Sequence, residues 1–326
     1  MTTRKDIENA LMRGADTLRD TIDAANYKDY VLPVMFLKYL SDSYADAVEA
    51  LSKQYSGIRL ERQKKYLPFM VAEGCSFYDL YKQRFADNIG QLINAAMRQI
   101  EADNNQQLAG VLSSVDYNSE NALGTREHKN AILRDLLEDF EPLNLRPSVI
   151  EIKEGQVPAD VIGDAYEYMI GQFASMAGKK AGSFYTPAAV SEIMARIVNV
   201  QPGERVYDPT CGSGSLLIKA AKKQNSKEVS IYGQEVNGSS VAMAKMNMYI
   251  HEIRDAKIGW GDTLANPVFL DADGNLLLFD AIVANMPFSK DKWASGFNPG
   301  GESSGKGKKE FKMEASLDKF HRFDWG

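Results

Sequence analysis

Apolar residues recur at intervals of three and four positions through the first half of the chain, the spacing that places them on one face of a helix. Between Ile7 and about Leu51 this pattern predicts two helices. Similar patterns occupy FYDLYKQRFADNIGQLINAAMRQIEA (77–102), NAILRDLLEDF (130–140) and VIGDAYEYMIGQFASMA (161–177). The alternation typical of strands is missing before residue 200. The pattern therefore predicts an all-helical region over roughly the first 145 residues.

The pattern changes after Gln201, where short apolar runs alternate with helical stretches. The predicted strands are RVYD (205–208), EVSIYGQE (228–235), AKIGW (256–260) and LFDAIVAN (278–285), and the predicted helices between them include SLLIKAAKK (215–223) and SSVAMAKMNMYIHEI (239–253). Such alternation indicates a parallel sheet covered on both faces. We expect a helical N-terminal domain over residues 1–150 and an α/β domain over residues 151–326, with the boundary between residues 145 and 160.

The composition narrows the class of protein. A chain of 326 residues, 44% hydrophobic and 25% charged, is typical of a globular protein with two domains. Two cysteines and three histidines predict neither a disulfide framework nor a metal site. No apolar run reaches the roughly 18 residues that cross a membrane, and the N-terminus is amphipathic, so we expect a cytoplasmic protein. The net charge of -6 argues against coating nucleic acid by bulk charge, although a local basic groove can coexist with it.

A glycine-bearing turn joins the first predicted strand to a helix in VYDPTCGSGSLLIKAA (206–221). Glycines allow a ligand to approach the backbone, and the amides at a helix N-terminus favour an anionic or carboxylate-bearing ligand. The GxGxxG pattern of dinucleotide binders is absent, because Leu217 stands where the third glycine would be. A tight turn without a ligand is the alternative explanation.

Four polar side chains lie at or just after the ends of successive predicted strands: Asp208, Glu235, Asp262 and Asn285. Ligands of open parallel sheets bind outside these carboxyl ends, where Glu235 would meet ribose hydroxyls and Asp262 an adenine amino group. Each acid alone is also explained as a helix N-cap. The segment IVANMPFS (282–289) ends a strand with an amide, a proline and a phenyl ring, which suits a flat ligand with polar edges.

The chain resembles the modification subunits of type I restriction-modification systems, which belong to the DNA adenine N6-methyltransferases. The resemblance is carried by ADTLRDTIDAANYKDYVLPVMFLKYLSD (15–42), GSFYTPAAVSEIM (182–194), DPTCGSGSLL (208–217), YGQEVNGSSVAMAKMNM (232–248), GDTL (261–264) and ANMPFS (284–289). It implies a class I, Rossmann-like methyltransferase domain that binds S-adenosyl-L-methionine, preceded by a helical domain. The family's Asn-Pro-Pro-Phe motif stands here with Met286 at its second position.

The resemblance also implies roles for individual residues. The expected cofactor-binding residues are Ser183, Phe184, Tyr185, Thr186, Pro187, Ala188, Asp208, Thr210, Gly212, Ser213, Gly214, Ser215, Glu235 and Asp262. The expected catalytic residues are Asn285, Met286, Pro287 and Phe288. Bonds from the adenine N6 hydrogens to the Asn285 side-chain oxygen and the Met286 carbonyl would localise the nitrogen lone pair. The sulfonium methyl is already activated, so neither a metal nor a covalent nucleophile is required.

DNA is the expected substrate, and a base must leave the duplex to reach such a pocket, with Phe288 offering a face for stacking. Core packing is the alternative role for that ring. The implied partners are a specificity subunit, a restriction subunit and a second modification subunit. Candidate phosphate contacts are Lys179, Lys180, Lys306, Lys308 and Lys309. The Gly-, Ser- and Lys-rich segment 295–310 is typical of a mobile loop.

Two further expectations concern the extent and the substrate of the chain. The family's sheet continues with three more strands after the Asn-Pro-Pro-Phe strand, so we expect a truncated chain or a partner that covers the open edge. The alternative functions are methylation of protein glutamine or of RNA amino groups by the same chemistry, and a non-catalytic scaffold in the same complex.

Overall fold

The computed structural model describes residues 1–178, 185–222, 228–287 and 318–322. The chain divides into two compact units, Met1–Tyr185 with Ala242–Arg254 and Thr186–Val241 with Asp255–Gly326. The division predicted at residue 150 stays a prediction. The units are defined by packing, and the first of them includes a segment from late in the sequence.

The N-terminal unit is built from helices. In chain order they are α1 (Arg4–Thr17), α2 (Tyr27–Ser52), α3 (Gly57–Lys64), α4 (Phe77–Lys82), α5 (Ile89–Asp103), α6 (Asn105–Leu108), α7 (Glu120–Leu123), α8 (Arg126–Phe140) and α9 (Pro158–Ala177). Short 3-10 turns occupy Ala24–Asn26 and Pro147–Val149. An isolated parallel bridge joins Thr2 to Ile150. The prediction of a helical N-terminal region is confirmed.

The helical pattern predicted over residues 77–102 is divided into two helices in the structure. Helix α4 ends at Lys82 and α5 begins at Ile89. The intervening segment contains Asp87 and Asn88, whose side chains favour turns over helix interiors. Apolar spacing alone did not reveal this break.

Helix α2 forms the centre of the N-terminal unit. Every side chain from Tyr30 to Ser43 is buried, as expected of a helix surrounded by other helices. Two charged residues lie within this buried stretch, Lys38 and Asp42, whose Nζ and Oδ2 atoms are 2.6 Å apart. The hydroxyl of Tyr78 on α4 donates to Asp42 Oδ1 at 2.6 Å, and the backbone amide of Leu145 donates to Oδ2 at 2.7 Å. The charges are therefore buried as a hydrogen-bonded network, which offsets their loss of hydration.

The second unit contains a four-stranded parallel sheet. Its elements in chain order are helix α10 (Ala188–Val198), strand β1 (Arg205–Asp208), helix α11 (Ser215–Lys222), strand β2 (Ser230–Glu235), strand β3 (Lys257–Trp260) and strand β4 (Ala281–Ile282). The strand order is β3-β2-β1-β4. In the register, Asp208 lies opposite Gly233 and Glu235 opposite Trp260, so the carboxyl ends of the strands meet at one edge. The predicted parallel sheet is confirmed.

Helix α12 (Gly238–Ile250) follows β2, and most of it packs in the N-terminal unit. The ring of Tyr249 meets Phe36 and Phe69 edge to face, with ring centroids 5.6 and 5.9 Å away. The buried ring of His251 lies directly on Gly163 of α9, where any larger side chain would overlap it. The helical unit therefore includes a helix that the sequence places within the α/β pattern.

Aromatic rings cover one face of the sheet. Tyr207 of β1 and Tyr232 of β2 are partners in the register. Phe269 and Phe279, from the segment between β3 and β4, contact both tyrosines, and the ring centroids of Tyr207 and Phe279 are 4.4 Å apart. Rings in this stacked and edge-to-face arrangement stabilise the sheet beyond their buried area.

None of the helices within the described ranges has both the length and the apolar character needed to span a membrane.

Candidate functional site

The turn between β1 and α11 forms one side of the candidate site. Gly212 and Gly214 have φ angles of +51° and +77°, which residues with a side chain rarely adopt. The turn is closed by a bond from the Gly214 amide to the Cys211 carbonyl at 2.7 Å. It is tied to β2 by a bond of 3.0 Å from the Cys211 amide to the Gln234 carbonyl. The positive φ angles explain why glycine is favoured at both positions.

Hydroxyls lie within this turn and on both sides of it. Ser213 and Ser215 are buried, and their Oγ atoms are 2.9 Å apart. Thr210 Oγ1 is also buried and has no hydrogen-bond partner among the described residues. Polar groups buried in this way need a partner, and a bound ligand can supply it.

The three acids predicted at strand ends share one local arrangement. In each, a carboxylate oxygen accepts a hydrogen bond from the backbone amide two residues later: Asp208 from Thr210 at 2.9 Å, Glu235 from Asn237 at 2.9 Å and Asp262 from Leu264 at 2.9 Å. These bonds to nearby backbone amides resemble those of a helix N-cap, which was the alternative role for each acid. They use one oxygen of each carboxylate and leave the other for a further contact.

The second oxygens differ among the three acids. Glu235 Oε2 accepts from the Gly212 amide at 3.0 Å, which fixes the glycine turn against β2. Asp208 Oδ2 is buried without a partner among the described residues. Asp262 is only half-buried, and its Oδ2 receives no hydrogen bond from the described part of the chain. Two carboxylate oxygens are therefore available to a ligand.

Burial raises the pKa of Asp208 to about 7, the bond from the Thr210 amide opposes this rise, and the nearby charge of Glu235 adds to it. A carboxylate with an unpartnered buried oxygen lacks hydration for its charge. A cationic ligand group beside it would supply that compensation. The burial of Cys211 in the same turn raises the pKa of its thiol well above the ordinary value, which keeps the sulfur protonated and weakly nucleophilic.

The predicted catalytic amide meets the threonine of the Phe-Tyr-Thr-Pro element within the second unit. Asn285 Nδ2 donates to Thr186 Oγ1 at 3.2 Å, although the two residues are 99 positions apart. This bond uses the nitrogen of the Asn285 amide and not its oxygen, and it fixes the orientation of the amide. Pro187 precedes α10 and Ala188 is its first residue, while Met286 and Pro287 are exposed.

The remaining predicted residues are placed as follows. Tyr185 belongs to the N-terminal unit, where its ring packs on Gly171 of α9. Outside the described residues lie Ser183, Phe184 and Phe288, the five candidate phosphate-binding lysines at positions 179, 180, 306, 308 and 309, and the segment 295–310. The described ranges contain no group of three or more His, Cys, Asp or Glu side chains able to hold a metal ion.

Two residues near the site were missed by the sequence analysis. Gln234 is fully buried beside Glu235, and its side chain binds the segment after β3. Arg322 donates to the carbonyls of Thr263 and Leu264 in the same segment. A buried amide inside an apolar strand was the available signal for Gln234, whereas nothing in the local sequence marked Arg322.

Comparisons with known proteins assign this chain to a family. The parallel sheet with its covering helices, preceded by a helical region, is consistent with the α/β methyltransferase fold of the solved neighbour described below. The model of the N-6 DNA Methylase family matches residues 157–319, and that of the HsdM N-terminal domain matches residues 7–140. The chain therefore belongs to the N-6 DNA methylase family, and the predicted fold class is confirmed.

Relatives with similar sequences are methylase subunits of type I restriction enzymes. The MjaVIII methylase subunit of Methanocaldococcus jannaschii is 30% identical over 295 residues, covering 86% of this chain and 47% of the relative. The MpnII methylase subunit of Mycoplasma pneumoniae is 29% identical over 324 residues, covering 88% of this chain and 58% of the relative. The chain thus spans about half the length of the curated relatives it matches.

A solved structure agrees with these matches. The type I restriction-modification system methyltransferase subunit from Streptococcus thermophilus superposes with a TM-score of 0.71 at 30% identity, covering 91% of this chain and 66% of the other.

Proposed function

We propose that this chain transfers a methyl group from S-adenosyl-L-methionine to N6 of adenine in DNA, as part of the modification subunit of a type I restriction-modification complex. The observation that carries the proposal is the bond between Asn285 and Thr186 in the unit that also holds three strand-end acids. Membership of the N-6 DNA methylase family supports the chemistry.

The strand-end residues fit the proposed cofactor. Glu235 would accept from the ribose hydroxyls, because each of its oxygens retains a second lone pair. Asp262 Oδ2 would accept from the adenine amino group. Asp208, with its unpartnered oxygen, and Thr210 would bind the cationic amino group of the methionine half. When bound, the cofactor supplies an activated methyl on a sulfonium. These residues would together bind all three parts of the cofactor.

Asn285 is the residue proposed to act on the adenine. Since its Nδ2 already donates to Thr186, the side-chain oxygen would be the atom that accepts from an N6 hydrogen. The carbonyl of the exposed Met286 would accept from the other hydrogen, and a backbone carbonyl does not depend on the Pro-to-Met change. Phe288, outside the described residues, would stack on the extruded base.

The partners are part of the proposal. We propose assembly with a specificity subunit, a restriction subunit and a second modification subunit on DNA. The naming of relatives as methylase subunits of type I restriction enzymes supports assembly in such a complex. We also propose a cytoplasmic location, where the chromosome of a bacterium or archaeon is found.

The test is transfer of tritiated methyl groups from S-adenosylmethionine to unmethylated DNA, RNA and protein, with the chain alone and with a specificity subunit added. Asn285→Ala should abolish transfer to DNA while cofactor binding changes little. Asn275→Ala, which removes an exposed amide in the segment between β3 and β4, is the matched control and should transfer normally. Normal transfer by the Asn285 variant, or transfer to RNA or protein alone, would refute the proposal. If the wild-type chain failed to bind the cofactor, the scaffold role would be favoured instead.

A further inference from the structure

The side chain of Gln234, on β2, forms hydrogen bonds with strand β1 and with the segment that follows β3. Its Nε2 donates to the Gly261 carbonyl at 3.2 Å and to the Asn266 carbonyl at 2.8 Å. Its Oε1 accepts from the Val268 amide at 3.1 Å and from the Tyr207 hydroxyl at 3.4 Å. Three of these four bonds reach residues 261–268, which we call the post-β3 loop.

The post-β3 loop depends on tertiary contacts for its shape. It has no regular helix or strand, and it carries Asp262 one residue after the first carbonyl that Gln234 holds. The Asn266 amide donates to the Asp262 carbonyl at 2.6 Å, so the second carbonyl held by Gln234 belongs to the residue that closes the turn around Asp262. The Gln234 amide thus binds the loop on both sides of the acid.

The burial of Gln234 makes this arrangement selective for one loop conformation. The side chain is 0% exposed, so water cannot replace a lost partner. Any displacement of the loop leaves a buried donor or acceptor unsatisfied, which is unfavourable. Asp262, which follows β3, is therefore held in place by Gln234 on the adjacent strand β2. Gln234 is next in sequence to Glu235, the residue proposed to bind the ribose.

We infer that Gln234 is a positioning residue that fixes the Asp262 carboxylate and so determines the selectivity of the site for a purine bearing an amino group at position 6. The inference rests on the proposed function, because it assumes that Asp262 faces the adenine. Gln234 itself touches no ligand in this account. Its effect on selectivity is transmitted through the Gly261 and Asn266 carbonyls.

The experiment compares the affinities of two ligands by calorimetry. S-adenosylhomocysteine carries the amino group, and S-inosylhomocysteine carries an oxygen in its place. The wild-type chain should prefer the first by at least about tenfold, because a carbonyl facing a carboxylate loses a bond and adds repulsion. Asp262→Asn should bring this ratio close to one.

Gln234→Leu removes the amide, and Gln234→Glu keeps its shape but replaces the donor to both carbonyls with an oxygen. Both should lower the ratio towards that of Asp262→Asn. Lys257→Gln, which removes a bond to the Tyr232 hydroxyl in the same sheet, is the matched control and should keep the wild-type ratio. Thermal melting establishes which variants fold, and the Glu variant carries the test if the Leu variant does not.

Each outcome decides between the explanations. If the Gln234 variants weaken both ligands equally and keep the ratio, Gln234 has only a structural role and the inference is wrong, while the proposed function stands. If the wild-type chain binds both ligands with equal affinity, Asp262 does not face the adenine and the inference fails. If the wild-type chain binds neither, the proposed function fails as well.

Discussion

Replacing Asp208 by asparagine should stabilise the protein at neutral and higher pH. Burial raises the pKa of Asp208 from its ordinary 3.8 to about 7, so the folded state keeps a proton that the unfolded state has already lost. The free energy of unfolding therefore falls as the pH rises from about 4 to about 7. Asparagine carries no charge at either pH and removes this dependence.

The magnitude follows from the difference between the two pKa values. About three pKa units correspond to about 4 kcal/mol, which is an upper limit on the gain in stability of Asp208→Asn at pH 8. The pH-dependent gain should become small near pH 4 and vanish below it, where the aspartate becomes protonated in the unfolded state as well. The cause is the same unpartnered oxygen that we assign to a cationic ligand group, so the variant should be more stable and bind the cofactor more weakly.

The assay is urea denaturation of the wild type and Asp208→Asn at half-unit steps between pH 4.5 and 8.5. Other titrating groups are common to both proteins and cancel in the difference of their free energies of unfolding. A difference that grows with pH and levels off above about pH 7 supports the reasoning. A constant difference, or a variant that is less stable at pH 8, would refute the idea that a buried carboxylate is held there without compensation.

Three other perturbations test the site and the helical unit. If a cationic ligand group requires the ionised form of Asp208, the apparent Kd for S-adenosylhomocysteine should be roughly tenfold higher at pH 6 than at pH 8, and a flat calorimetric profile would contradict this. Gly163→Ala places a methyl group within the buried ring of His251 and should lower the free energy of unfolding by about 1–3 kcal/mol; unchanged stability in urea would show that the ring moves aside. Asp42→Ala leaves the Lys38 ammonium buried and unpaired, so it should cost about 3–5 kcal/mol, and adding Lys38→Met should recover part of that loss in the same assay.

Local signals in the sequence account for the parts of the fold that were predicted. Three features depend on neighbours in the chain: the apolar spacing of α1 and α2, the strand-turn-helix around Gly212 and Gly214, and the acids that end β1 and β2. Parallel pairing then brings the strand ends to one edge without further information. These features could be predicted because sequence distance and spatial distance agree.

Long-range packing accounts for the parts that were not predicted. Helix α12 is buried on nearly all sides, since residues 240–250 are buried except for Lys245, and a pattern without a broad polar face does not show which unit covers it. The bonds from Gln234 to the post-β3 loop join positions that lie 27 and 32 residues apart. Contacts of this kind form only when the strands are paired in the sheet, and no periodicity in the sequence predicts them.

The most direct test of the central claim is a crystal structure of the chain with S-adenosylhomocysteine bound. The account predicts the ribose hydroxyls on Glu235, the adenine amino group on Asp262, and the Asn285 side-chain oxygen facing the sulfur end of the ligand. A ligand bound elsewhere on the chain, or an Asn285 amide turned away from the bound sulfur, would contradict it.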